Sequence, residues 1–92
     1  AYEQEAVTTV NDSAVSVNDT TITVTSGTNI NVGDILAFST TAATNDYDDG
    51  QEYEVTAVST NDITIKKKGS TGGLTRTITN GSNVRRRWKY YD

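Results

Sequence analysis

Cysteine, histidine, proline and methionine are all absent from this 92-residue chain. Without cysteine there is neither a disulfide framework nor a thiolate metal site. Without histidine, the commonest general base and metal ligand is gone. No window approaches the roughly 18 consecutive apolar residues that a membrane span needs, and no basic-then-apolar leader opens the chain. Apolar residues make up only 34% of the sequence, which is lean for a chain of this length. A small β-rich core, or one completed by subunit contacts, is therefore expected. Ala1 is the kind of small residue left when an initiator methionine is trimmed. The expectation is a complete chain made inside the cell, with a processed fragment of a longer protein as the alternative.

Positive charge is missing from the first 62 positions, which hold eleven acids. From Ile63 onward come all eight bases, opposed only by Asp92. The two parts carry −11 and +7, within a net charge of −4. Such a split points to a partner, or to docking between copies, unless the strands interleave and the charges mix in space.

What the chain does have is β-strand chemistry. No stretch repeats its apolar residues at helical spacing, and Thr, Val and Ile dominate wherever polarity drops. Strands are expected over residues 6–10, 35–39, 52–58, 63–67, 74–78 and 84–91. Two further turn-then-strand segments, 10–17 and 17–24, share an Asn-Asp step with residues 60–65. Along 52–58, Tyr53, Val55 and Ala57 should face one way and Glu52, Glu54 and Thr56 the other. Asn80-Gly81 is the best tight-turn signal. The expected fold is all-β, a small barrel or sandwich of about seven short, mostly antiparallel strands. Residues 1–5 read as a flexible arm, and 6–92 as a single β domain.

Few residues offer chemistry. Asn45-Asp46-Tyr47-Asp48-Asp49-Gly50 clusters oxygens ahead of a glycine, as a calcium loop does. It lacks the closing Glu and the flanking helices, so a solvated loop is the plainer reading. Glu52 and Glu54 share a strand face but have no base or nucleophile beside them. No catalytic residue, metal site or cofactor is expected, and the protein reads as a non-enzyme. Arg85-Arg86-Arg87-Trp88-Lys89 mixes cations with aromatics, as single-strand nucleic-acid platforms do. Strand alternation divides that run between two faces, and the eleven acids would repel a polyanion. Nucleic acid is therefore disfavoured, and Arg85, Arg86, Arg87, Trp88 and Lys89 become candidate residues of a protein interface. Lys66, Lys67 and Lys68 are the second candidates. Both runs could equally serve as charged guards of strand edges.

From Val32 onward, about two thirds of the chain resembles a small β-barrel module of tailed-bacteriophage virion proteins. The resemblance lies in Val32-Gly33-Asp34-Ile35-Leu36, Glu52-Tyr53-Glu54-Val55-Thr56-Ala57-Val58 and Asn61-Asp62-Ile63-Thr64-Ile65. It continues through Gly69-Ser70-Thr71-Gly72-Gly73 and Asn80-Gly81-Ser82-Asn83-Val84. Lys66-Lys67-Lys68-Gly69 stands where that family usually carries Arg-Gly. The resemblance implies a virion protein on the capsid surface, a decoration (cement) subunit that binds and stabilises the outer shell. Its partners would be the major capsid protein and copies of itself, as a homo-oligomer or in multivalent array, with no membrane involved. Strand edges or the N-terminal arm would reach across a seam, and the charge split predicts strongly salt-dependent docking. A head–tail connector, tail or fibre-base subunit is the first alternative. A nucleic-acid- or carbohydrate-binding barrel is the second, with Tyr47 in the natural ligand loop for a sugar.

Overall fold

A computed structural model describes residues 2–13, 15–39, 51–75 and 77–89. Among these residues six strands run in chain order: β1 (Tyr2–Thr9), β2 (Thr21–Thr23), β3 (Ile35–Ser39), β4 (Tyr53–Ser59), β5 (Asp62–Lys67) and β6 (Asn83–Lys89). All pair antiparallel in one sheet of order β1-β6-β3-β4-β5-β2. The two ends of that order then meet. Val10 bridges Val24, the Asn11 N–H donates to the Thr23 carbonyl at 2.9 Å, and the Thr25 N–H to the Thr9 carbonyl at 2.8 Å. The sheet thus closes into a small barrel, as an all-β chain without proline-guarded edges requires.

Alternation along the strands fills its interior. Ile22 and Val24, Leu36 and Phe38, Tyr53 and Val55, Ile63 and Ile65, and Val84 are buried together. Phe38 and Tyr53 meet ring to ring, 5.6 Å apart and tilted by 57°, a favourable aromatic geometry. The Tyr53 hydroxyl accepts the Thr75 N–H at 3.1 Å, so its polar end is satisfied. Val15, Ile30, Leu74 and Ile78, all outside strands, complete the core.

Three turns of one design hold those connecting segments. In Ser16-Val17-Asn18-Asp19, Asn31-Val32-Gly33-Asp34 and Thr79-Asn80-Gly81-Ser82 the fourth N–H donates to the first carbonyl. The third residue has positive φ: 74° at Asn18, 97° at Gly33 and 89° at Gly81. That is the type II pattern, which favours Gly or Asn at this position. Each turn is clamped by one buried apolar residue, whose C=O takes the third N–H and whose N–H reaches the fourth C=O. The clamping residues are Leu74, Val55 and Val10 in turn. In the first two turns the Asp carboxylate also accepts the N–H of the opening residue, at 2.8 and 3.0 Å. Of the Asn-Asp and Gly-Asp steps in the sequence, Asn18-Asp19 and Gly33-Asp34 belong to these clamps, whereas Asn61-Asp62 closes the β4–β5 hairpin.

Several expectations are corrected. The described residues of 10–17 and 74–78 form no strand. Leu74 does alternate with exposed Thr75, but its main-chain groups are spent on the Asn18-Asp19 turn. Asn80-Gly81 makes a turn as expected but not a hairpin, because it joins an irregular segment to β6. A bulge between Val55 and Ala57 breaks the alternation of β4. Ala57 is consequently exposed, and Val58 packs on the core in its place. The stretch read as an arm enters β1, which begins at Tyr2 and puts Glu3 and Glu5 in register with Trp88 and Arg86. Acidic positions opposite a basic strand favour that pairing.

Candidate functional site

The lysine run leaves the core on β5. The Thr60-Asn61 hairpin sets β5 against β4, and the bulge brings Glu54 into register with Lys66. Lys66 Nζ lies 3.9 Å from Glu54, and Lys68 Nζ lies 3.2 Å from Glu52. Lys67 is half-buried; its N–H donates to the Gly72 carbonyl at 3.2 Å, and it has no ion-pair partner among the described residues. These are largely solvated pairs, which hold charge locally neutral without much stabilisation.

The arginine run instead lies on β6, which is paired on both sides, with β1 and with β3. Arg85 is in register with Ala37 and Ala6. It is only 5% exposed, and its side chain is engaged. Arg86 is in register with Leu36, so it shares the inward face of Leu36 and Phe38 near one end of the barrel. There its Nη1 donates to the Asn29 carbonyl at 2.6 Å and to Asp34 Oδ2 at 3.3 Å. Arg86 thereby ties the segment between β2 and β3 to the sheet. Arg87, Trp88 and Lys89 continue β6, in register with Gln4, Glu3 and Tyr2.

The eight candidate interface residues therefore do not form one basic surface. The lysines and arginines lie on strands separated by β3 and β4. Lys66, Lys68 and Arg86 have carboxylate partners within the chain, and Arg85 offers almost no surface. The acidic and basic parts of the sequence interleave through the β1–β6, β3–β6 and β4–β5 ladders. One signal for this was present in the sequence: a hairpin at Thr60-Asn61 must fold the Glu52–Glu54 positions onto the lysine run. The roles of Asp34 and of the Asn29 carbonyl carried no such signal, because both depend on how the chain crosses the barrel end.

Among the described residues no cavity opens that could hold a small ligand, and no group of three Asp or Glu gathers as a metal cluster would. Among the described residues no helix is long and apolar enough to cross a membrane. The Asn45–Gly50 loop, considered for calcium and for sugar, lies outside the described residues. Two large apolar side chains stand out in solvent, Val17 at 49% and Val32 at 64% exposure. Both occupy the second position of a clamped turn, a correspondence that sequence reading missed.

Comparison of the chain with protein-family models, with curated proteins and with solved structures gives no match.

Proposed function

We propose that the protein is a non-enzymatic structural subunit of a tailed-phage virion, acting as a decoration protein on the outer capsid shell. The observation that carries this reading is the placement of the segments that bear the resemblance. Gly33-Asp34 is the clamped turn opening β3, the 52–58 and 61–65 segments pair as β4 and β5, and Gly81-Ser82 is the clamped turn ahead of β6. Residues that look interchangeable in sequence thus have specific work in one compact barrel. On this reading the barrel is a rigid block, docked through its turns and strand edges, with affinity multiplied across a symmetric shell.

The pairing inside the chain revises the mechanism expected from charge alone. Lys66, Lys68 and Arg86 already have carboxylate neighbours, so docking should weaken only modestly with salt rather than steeply. The test is sedimentation of the purified protein with emptied, undecorated shells of the encoding phage, followed by counting copies per virion. Retention on shells and hundreds of copies support decoration. A dozen copies or fewer would transfer the protein to a connector, tail or fibre base. Indifference to shells combined with a gel shift of single-stranded oligonucleotides would replace the reading with nucleic-acid binding.

A further inference from the structure

The third clamped turn contains a step that is chemically fragile. Of the eight asparagines in the chain, only Asn80 precedes a glycine. In an Asn-Gly step no side chain shields the following main-chain nitrogen, and glycine's backbone freedom lets that nitrogen swing onto the asparagine side-chain carbonyl carbon. Asn80 and Gly81 are both exposed, so water and hydroxide reach them. Burial does not preserve this step.

Hydrogen bonding does. The attacking atom is the Gly81 nitrogen, which must first give up its proton. That N–H donates to the Val10 carbonyl at 2.8 Å. The attacked group is held as well, because Asn80 Oδ1 accepts the Asp12 N–H at 3.1 Å. Val10 is buried, donates its own N–H to the Ser82 carbonyl at 2.8 Å and bridges Val24 across the seam. The restraint is thus anchored in the core. Bringing the Asn80 side chain onto the Gly81 nitrogen means breaking both bonds to residues 10 and 12.

We propose that Asn80 is a gated deamidation site, closed while Val10 holds the turn and reactive when the clamp opens. In the open turn the Gly81 nitrogen loses its proton and bonds to Asn80 Cγ. The Cγ–Nδ2 bond breaks, and ammonia leaves with that proton. Water then opens the cyclic imide at one of its two carbonyls, giving aspartate or isoaspartate. The net change is amide plus water to carboxylate plus ammonium. In isoaspartate the main chain runs through Cγ and is one atom longer. The added atom lies between Thr79 and Ser82, whose carbonyl and N–H close the turn at 3.0 Å. Turn and clamp cannot both re-form around it, so the reaction makes an opening of the seam irreversible. The proposal goes beyond the decoration reading and does not depend on it. Its test uses no shells, so the two fail separately.

The experiment ages the whole protein in mildly alkaline buffer, folded and in denaturing urea, and follows conversion of Asn80 by peptide mass mapping. Amide exchange on the folded protein measures the protection of the Gly81 N–H. Asn80 should convert at least about tenfold faster in the unfolded chain. Both reactions require the open turn, so the slowing of deamidation by folding should match the Gly81 protection to the same order of magnitude. In purified isoaspartyl product the Gly81 and Ser82 amides should exchange faster than in the parent. Equal conversion of folded and unfolded chains overturns the proposal, and so does an unfolded chain that fails to convert. A folded chain that is spared although its Gly81 N–H exchanges freely overturns it too, since the clamp is then not the gate. Isoaspartyl product as well protected as the parent also overturns it, because the opening would then be reversible.

Discussion

The lysine run of β5 and the arginine run of β6 look alike in sequence, yet they meet opposite fates. Each is three consecutive bases, Lys66–Lys68 at the end of β5 and just past it, Arg85–Arg87 within β6. β5 is flanked by β4 and by β2, and β2 is only three residues long. The lysines lie beyond its last register pair, Thr21 with Thr64, and two of them meet acids at the surface. β6 has β1 on one side and β3 on the other along most of its length. Both faces of a strand so placed can be covered, and Arg85 and Arg86 become parts of the fold. The difference teaches that a run of like charge reports strand position only after the neighbours of that strand are known.

The sharpest way to break this comparison is at Arg85. A buried guanidinium that is engaged stabilises through its contacts and leaves an unsatisfied neighbour when removed. Arg85→Ala should therefore destabilise the protein by about 3 kcal/mol in chemical denaturation. Arg85→Met, which keeps the apolar stem, should lose less. A loss under half a kcal/mol would mean that the side chain is a surface group like the lysines. Arg86→Ala comes next, at about 2 kcal/mol, for the loss of two charge-assisted hydrogen bonds. Asp34 keeps the Asn31 N–H as a donor, which limits the damage on its side. A cycle with Asp34→Asn should show coupling of roughly 0.5–1 kcal/mol. Independent effects of the two substitutions would remove the tie between the barrel end and β6.

How much of this was legible follows from the range of each interaction. β3 was read at its true bounds, and β4 and β5 to within one residue, because alternation and the Asn61-Asp62 turn act within a few positions. The meeting of β1 with β6 joins residues some 80 apart, and no local pattern announces it. The bulges at Val7 and Thr56 are also silent, although each breaks the alternation of its strand. Ala57 was placed with Tyr53 and Val55 for that reason. The candidate site suffered most. Its residues were found by charge, a property of composition, whereas their roles depend on register and cover. Lys66 opposite Glu54 requires both the hairpin and the bulge, and Arg85 requires knowing that β6 is an inner strand.

The smallest expected effect sits on the other side of the comparison. Lys68 is exposed and meets Glu52 across 3.2 Å, with Gly69 and Ser70 leading away into a loop. Its ammonium gains little from one carboxylate in water and loses side-chain freedom to reach it. Lys68→Ala should change stability by less than about 0.5 kcal/mol, and raising salt from low to high ionic strength should shrink even that. The main-chain bond from the Lys68 N–H to the Glu52 carbonyl, at 3.0 Å, survives the substitution, so the strand end stays paired. If Lys68→Ala instead rivals Arg86→Ala, the β5 lysines also belong to the fold, and the contrast between the two basic runs disappears.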